Sequence, residues 1–248
     1  MSTVSPPKKF KADPFQFHEI IELEILALSN LGAGIAKPND WVVFVPFTLP
    51  GEKVTARVWR NEGNCSHADL VEIIERSPDR VEPKCHLFGN CGGCQYQHLS
   101  YPKQLEWKTR QVAELLPRMI GLEAPVEPAI PSPMEWAYRS KITPHFQKPQ
   151  HGKPNPIGFL QHNRRSLILD VPQCPIAMDE INADLPRARQ EVRDNASSYK
   201  RGSTLLLRPT AGRVETNHRN PVSEQVGDLK FNFLAGDFFQ NNPFILPA

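Results

Sequence analysis

Short runs of alternating apolar and polar residues fill the first third of the chain, between Glu19 and Glu75. Turn-forming residues such as Pro50-Gly51 separate these runs, and alternation over a few residues indicates half-buried β-strands. We predict strands at Ile20–Leu28, Gly34–Ala36, Trp41–Phe47, Lys53–Trp59 and His67–Ile74. Five short strands favour a small barrel of the oligonucleotide-binding (OB) type, which closes on itself and leaves no exposed sheet edge.

The Gly32-Ala33-Gly34 run within this region resembles part of a dinucleotide-binding loop. That motif needs a third glycine and a helix directly after it, and neither is present here. We therefore predict a tight barrel turn at these glycines.

Helical spacing of apolar residues replaces the alternation in two later segments. The first begins at Ser100, which can cap a helix, and is expected to end at Pro117 and Gly121. The second places four apolar residues in register: Ile181, Leu185, Ala188 and Val192. Short strands are expected around the second helix, at Ile157–Leu160, Ser166–Val171, Ser203–Leu207 and Leu229–Leu234.

These patterns predict mixed β and α+β architecture in three parts. Residues 1–16 form a basic flexible tail, residues 17–78 the barrel, and residues 79–248 an α+β domain. The net charge of +2 conceals an uneven distribution, since residues 17–78 carry five cations against nine anions. The 25 prolines, roughly twice the usual share, agree with short elements and many turns.

Targeting signals and membrane spans are not indicated. No apolar run approaches the roughly 18–20 residues that a spanning helix needs, and the N-terminus lacks the apolar stretch of a signal peptide. We expect a cytoplasmic monomer with no membrane partner. Five cysteines in such a chain are an odd number and do not suit a disulfide framework.

Cysteines at 85, 91 and 94 lie within ten residues, with Gly92-Gly93 between the last two, and this density indicates a metal site. Cys174, in a turn flanked by prolines, is the candidate for a fourth ligand. Four thiolates suit either tetrahedral zinc or an iron–sulfur cluster. The lone C-x2-C and the remote fourth cysteine favour the cluster on spacing without excluding zinc. Cys65 is isolated, and we interpret it as a structural thiol.

The motif Cys85–Leu99 (CHLFGNCGGCQYQHL) resembles the TRAM-containing RNA 5-methyluridine (uracil-C5) methyltransferases. Tyr138-Arg139-Ser140-Lys141, Gln173-Cys174-Pro175 and Gly236–Asn242 (GDFFQNN) are also similar to that family. The resemblance implies that the barrel is an RNA-binding TRAM domain. It also implies that Cys85, Cys91, Cys94 and Cys174 hold a [4Fe–4S] cluster, and that Gln240 contacts S-adenosyl-L-methionine.

In that family a cysteine thiolate attacks C6 of uracil, S-adenosyl-L-methionine supplies the methyl group and a carboxylate removes the C5 proton. No residue of this chain matches that nucleophile or base, so we expect them beyond Ala248 and assign no catalytic residue. The Gly-rich loop of the family's Rossmann-like methyltransferase domain is also missing. We therefore expect that domain to be absent, the chain to be the N-terminal fragment of such an enzyme, and the fragment alone to be inactive. The alternative is a stand-alone, non-catalytic RNA-binding module with an iron–sulfur or zinc site.

The RNA partner, expected to be ribosomal rather than transfer RNA, should meet the cationic stretch from Arg139 to Leu169. This stretch holds six Lys or Arg residues and no carboxylate, with aromatic residues between them. Cations neutralise phosphates and aromatic rings stack on bases. We predict RNA contacts at Arg139, Lys141, Arg164 and Arg165, with a smaller barrel patch around Lys53, Arg57 and Arg60.

Overall fold

A computed structural model describes residues 5–150 and 155–248, and these residues form two compact units. The first unit takes in Met1–Pro83 and Gln95–Ala129, and the second Lys84–Cys94 and Ile130–Ala248. In the described part of the chain, no helix is long and apolar enough to cross a membrane.

A six-stranded sheet forms the centre of the first unit. Its strands are β1 (Ile20–Glu24), β2 (Ala27–Leu28), β3 (Ala33–Ala36), β4 (Val42–Pro46), β5 (Lys53–Asn61) and β6 (Cys65–Glu75). They run in the order β1-β5-β6-β4-β3-β2, and every neighbouring pair is antiparallel except β4 and β6. Alternate residues point to the inside and form one core, which includes Leu23, Val43, Val45, Val54 and Ala56.

The turn between β2 and β3 explains the Gly32-Ala33-Gly34 run. The amide of Gly32 donates to the Ser29 carbonyl at 2.9 Å, and Gly32 has φ +81°, a left-handed conformation that favours glycine. A side chain at Gly34 would place its Cβ 2.0 Å from Thr48 Oγ1. Gly32 therefore serves the predicted tight turn, and Gly34 allows a close approach to Thr48 that was not predicted.

Helix α1 (Tyr101–Ile120) belongs to the first unit, whereas the sequence had placed it in a domain spanning 79–248. Trp107 on this helix packs against a buried cluster of Leu28, Leu49 and Leu99. Gln111 also donates to the Ser29 carbonyl at 2.7 Å. These tertiary contacts join the helix to the barrel, and they leave no trace in the local sequence pattern.

The end of α1 also differs from the prediction, because the helix continues through Pro117 to Ile120. It is Gly121 that ends it, in a left-handed conformation with its amide bonded to the Pro117 carbonyl at 3.0 Å.

The second unit packs helix α2 (Asp179–Asp194) on a small sheet. Its strands are β7 (His145–Phe146), β8 (Ile157–Gln161), β9 (Arg164–Asp170), β10 (Ser203–Thr204), β11 (Arg208–Thr210), β12 (Arg213–Glu215), β13 (Pro221–Val226) and β14 (Leu229–Leu234). The sheet has the order β10-β7-β8-β9, and β11–β12 and β13–β14 are separate hairpins. Ile181, Leu185 and Ala188 from α2 pack with Ile142 and Leu207 to form the core.

Candidate functional site

A loop of successive turns carries the first three cysteines and is fastened to strand β8. The Cys91 amide donates to the Leu87 carbonyl at 2.8 Å, and the Gly92 amide donates to the Leu160 carbonyl at 3.0 Å. A Cβ on Gly92 would stand 3.1 Å from that Leu160 oxygen. Glycine at this position therefore allows the loop to lie directly against the strand.

Cys174 is held by helix α2 through one side chain. Asn182 Oδ1 accepts from the Cys174 amide at 2.9 Å, and Asn182 Nδ2 donates to the carbonyls of Cys174 at 3.0 Å and Ala177 at 3.1 Å. Three hydrogen bonds from one amide fix both sides of the Cys174 peptide. Asn182 was not predicted from the sequence, because an amide that binds a loop from a neighbouring helix has no local motif.

The thiols of this loop and of Cys174 influence one another electrostatically. Burial raises the pKa of Cys91, and the nearby Cys174 and Cys85 raise it further, against a Gly93 backbone hydrogen bond that lowers it. Burial likewise raises the pKa of Cys174, with backbone hydrogen bonds from Ile176 and Ala177 acting in the opposite direction. Both effects favour the neutral thiol, and a bound metal would be needed to hold these side chains together as thiolates.

The sulfurs of the four cysteines are not closely gathered in the described residues. Sulfur atoms around a tetrahedral zinc lie roughly 3.8 Å apart, given Zn–S bonds of about 2.3 Å. In the part of the chain that the structure describes, no three of the four cysteine sulfurs lie within 4.8 Å of one another. Four thiols suit either a zinc ion or an iron–sulfur cluster.

Arg139 and Lys141 lie beside the Cys174 loop and are both partly buried. The Arg139 amide donates to the Ile176 carbonyl at 2.7 Å, and the positive charge of Arg139 acts to lower the pKa of Cys174. The ammonium of Lys141 donates to the Asp237 carbonyl at 2.8 Å. Burial lowers the pKa of Lys141, and the charges of Arg208 and Arg139 lower it further. Arg139 and Lys141, both predicted to contact RNA, therefore already make polar contacts within the second unit.

Arg164 and Arg165 begin strand β9, directly after the turn of the β8–β9 hairpin. The side chain of Arg164 is exposed. The same turn meets the cysteine loop, since the His162 amide donates to the Asn90 carbonyl at 2.7 Å. The structure thus brings the start of β9, with the exposed Arg164, next to the cysteine loop. Lys153, another cation of the stretch, lies outside the described residues.

Gln240 lies on a segment that is pinned on both sides. Lys141 and Arg208 both donate to the Asp237 carbonyl, at 2.8 Å and 2.9 Å, and the Ser140 amide donates to the Asn241 carbonyl at 2.8 Å. Next to it, the ring of Phe239 stacks on Phe233 at 4.7 Å. The side chain of Gln240 is left exposed. The buried Arg208 also positions this segment, a role that no sequence motif indicates.

The three cations predicted as a barrel patch are each paired with a carboxylate. Lys53 contacts Glu75 at 2.6 Å, Arg57 contacts Asp69 at 3.4 Å and Arg60 contacts Glu62 at 2.8 Å. These pairs reduce the positive potential that the barrel offers to a phosphate. The nearby aromatic side chains provide a different surface: Phe44 and Trp59 lie 5.5 Å and 5.6 Å from the His67 ring.

Several known RNA methyltransferases are similar to this chain in sequence. The family model for the TRAM domain of tRNA (uracil(54)-C(5))-methyltransferase matches residues 21–78. A tRNA (uracil(54)-C(5))-methyltransferase from Schizosaccharomyces pombe is 43% identical, over 94% of this chain and 47% of the relative. The enzyme of the same name from Saccharomyces cerevisiae is 30% identical, over 94% of this chain and 48% of the relative. The chain thus spans about half the length of these curated relatives.

A solved structure shares the fold. The crystal structure of Pyrococcus abyssi tRNA (uracil-54, C5)-methyltransferase in complex with S-adenosyl-L-homocysteine matches with a TM-score of 0.60 at 20% identity. The match covers 90% of this chain and 62% of that one.

This likeness corrects the predicted fold class. The expectation that a Rossmann-like methyltransferase domain is absent is wrong, because 90% of this chain aligns with a methyltransferase solved in complex with S-adenosyl-L-homocysteine. The sheets of residues 5–150 and 155–248 are antiparallel apart from β4 and β6. The lack of a Gly-rich strand–loop–helix in these residues therefore does not show that the protein lacks such a domain.

Proposed function

Because the chain belongs to the TRAM-containing RNA uracil-C5 methyltransferase family, we propose that it acts in the S-adenosyl-L-methionine-dependent methylation of C5 of a uridine in RNA. The observation that carries this proposal is its alignment with two uracil-C5 methyltransferases over 94% of its length. The cofactor supplies the methyl group when it is bound. The residues described above are proposed to bind RNA, to contact the cofactor through Gln240 and to hold a metal centre through four cysteines.

Transfer RNA is the proposed substrate, with uridine 54 as the target. Both relatives quoted above, and the enzyme in the solved structure, are named for uracil 54 of tRNA. The expectation of ribosomal over transfer RNA, made from the sequence, has no such support, and we replace it.

The cluster is proposed to be [4Fe–4S], with Cys85, Cys91, Cys94 and Cys174 as its ligands. Its support is that Cys174, far from Cys85 and Cys91 in the sequence, lies close enough to them in the second unit for the three to influence one another. The cluster would tie the loop on β8 to the turn held by Asn182, so its role here is to fasten two parts of the second unit together. Anaerobic purification should give a brown protein with iron and sulfide; a colourless protein with stoichiometric zinc would contradict this assignment.

Gln240 is proposed to contact S-adenosyl-L-methionine. Its neighbours are fixed by Lys141, by Arg208 and by the stacking of Phe239, while its own side chain is exposed. A side chain presented from a rigid segment loses little conformational freedom when it binds, which favours a positioning contact.

RNA binding is proposed to divide between two surfaces. Arg164 and Arg165 offer phosphate contacts beside the cysteine loop, whereas the barrel offers the rings of Phe44 and Trp59 for stacking. Arg139 and Lys141 are proposed to act on RNA mainly by their charge, since their polar atoms also bind backbone carbonyls.

The test is the 5-methyluridine content of RNA from cells that lack the gene. Mass spectrometry of nucleosides from purified tRNA should show loss of 5-methyluridine, and re-expression should restore it. Ribosomal RNA from the same cells is the matched control and should be unchanged. Loss from ribosomal RNA alone would reject the proposed substrate, and an unchanged content in both RNAs would reject the proposed function.

A further inference from the structure

A second group of metal-ligating side chains lies in the barrel, on the hairpin that joins β5 to β6. In the described residues, it is the only place where three such atoms lie within 4.8 Å of one another: Glu62, Cys65 and His67. We propose that these three side chains bind a Zn²⁺ ion at a site separate from the four-cysteine site.

The distances between the ligand atoms approach those that zinc requires. Cys65 Sγ lies 4.0 Å from Glu62 Oε2 and 4.0 Å from His67 Nε2, and His67 Nε2 lies 3.6 Å from Glu62 Oε1. Tetrahedral coordination with ordinary bond lengths separates such ligands by roughly 3.4–3.6 Å. Small side-chain rotations are enough to close a difference of this size.

The backbone holds the ligands before the ion arrives. Cys65 and His67 are two residues apart on β6, so both point to the same face of the sheet. The start of β6 pairs with strands on both sides, and the Glu62 amide donates to the Cys65 carbonyl at 2.8 Å to close the turn. The His67 ring is further fixed by Phe44 and Trp59. Such preorganisation favours binding, because little freedom is lost.

The ligand chemistry selects a borderline-soft divalent ion. Thiolate, imidazole and carboxylate are the three donors that zinc uses in proteins, whereas magnesium and calcium prefer oxygen alone. The Cys65 side chain is buried, and Glu62 and His67 are 38% and 31% exposed. The fourth position therefore opens to solvent and would take a water molecule.

Arg60 is a positively charged neighbour of the site and would repel a bound cation. Its guanidinium donates to Glu62 Oε1 at 2.8 Å while remaining largely exposed. An outer partner of this kind orients a ligating carboxylate and can move into solvent as the ion binds. One carboxylate and one thiolate then balance the two charges of Zn²⁺.

The test compares zinc binding by the full chain with and without this site. Anaerobically isolated protein with its four-cysteine site filled would be dialysed against Zn²⁺ and analysed for metal content. The wild type should bind one zinc more than Cys65→Ser, and His67→Gln should weaken that zinc at least tenfold in a chelator competition. Glu72→Gln, which removes an exposed carboxylate from the same strand, is the matched control and should bind as the wild type does.

A measurement on the wild type guards against misfolding of the variants. Alkylation of Cys65, followed by peptide mass spectrometry, should be at least tenfold slower with Zn²⁺ than without it. Equal zinc content and affinity in the wild type and a folded Cys65→Ser variant would overturn the proposal. If the variant does not fold, an alkylation rate of Cys65 that zinc leaves unchanged would overturn it instead.

Discussion

Replacement of Arg80 by methionine should destabilise the first unit strongly, because Arg80 is the counter-ion of a fully buried carboxylate. Glu52 has no exposed side-chain surface and Arg80 only 9%. Arg80 Nε donates to Glu52 Oε1 at 2.5 Å and Arg80 Nη2 donates to Oε2 at 2.8 Å. The backbone amides of Leu49 and Ser77 complete the ring of donors around this carboxylate, at 2.8 Å and 3.3 Å.

The expected cost is about 3–5 kcal/mol of unfolding free energy, the range for removal of one partner from a buried ion pair. The two backbone amides remain in Arg80→Met and moderate the loss, so the lower half of that range is the better expectation. At roughly 4 °C per kcal/mol for a unit of this size, the midpoint of thermal unfolding should fall by about 12–16 °C.

The pH dependence gives a sharper signature, because the variant should reverse its sign. In the wild type, burial raises the pKa of Glu52, but hydrogen bonds from Arg80 and Leu49 outweigh it and lower the pKa. That contribution to stability is present above the unfolded-state pKa and is lost as pH falls through the lower folded-state pKa. Without Arg80, burial dominates and we expect the pKa of Glu52 to rise. The variant should then lose stability as pH rises from about 4 to 7.

Denaturant titrations at several pH values, followed by far-ultraviolet circular dichroism, measure both effects. Arg57→Met is the matched control, because the Arg57–Asp69 pair is exposed and such pairs contribute at most about 1 kcal/mol. A double variant with Glu52→Gln should be less destabilised than the sum of the single variants. A loss below about 1 kcal/mol, or a pH profile parallel to that of the wild type, would refute the reasoning.

Three further predictions concern the second unit. Asn182→Ala removes three hydrogen bonds around Cys174, so we expect iron loss to a chelator to accelerate roughly tenfold, measured by the decay of cluster absorbance. Arg164→Glu with Arg165→Glu should weaken tRNA binding and flatten its salt dependence by about one unit of slope per lost phosphate contact, measured by titration at several salt concentrations. Gln240→Ala should raise the KM for S-adenosyl-L-methionine by up to about tenfold in a methyl-transfer assay of the full-length enzyme.

Matched variants separate these effects from general damage. Asn195→Ala removes another helix-borne amide whose hydrogen bond caps α2 away from the cysteines, and it should retain iron like the wild type. Reversal of Lys200 and Arg201, two adjacent exposed cations in the same unit, should leave tRNA affinity nearly unchanged. If the Asn195 variant lost iron as fast as the Asn182 variant, the Asn182 hydrogen bonds would not explain the iron loss. If reversal of Lys200 and Arg201 weakened tRNA binding equally, Arg164 and Arg165 would not be specific RNA contacts. For Gln240, a KM equal to that of the wild type would exclude the proposed cofactor contact.

Local pattern predicted most of the barrel strands, because alternation and turn residues act within a few positions, but the strand predicted at Ile20–Leu28 is two strands, β1 and β2. The strand predicted at Lys53–Trp59 corresponds to β5, and that at His67–Ile74 lies within β6. Partner choice was not predictable in the same way: Trp107 and Gln111 attach α1 to the barrel through contacts with residues far away in the sequence. The four cysteines could be identified by type and spacing, whereas Asn182 acts through a tertiary contact that spacing does not record.

Net charge counted along the sequence is also insufficient to predict which residues of the barrel attract RNA. The sequence gives the barrel an excess of anions and suggests a compensating patch at Lys53, Arg57 and Arg60, but all three cations are paired with carboxylates. A phosphate approaching these residues must compete with an anion already in place, so they add little to long-range attraction. Stacking on Phe44 and Trp59 carries no such penalty, because base stacking does not depend on net charge. The salt-dependent part of RNA affinity should therefore come from the Arg164–Arg165 hairpin, and the salt-independent part from the barrel.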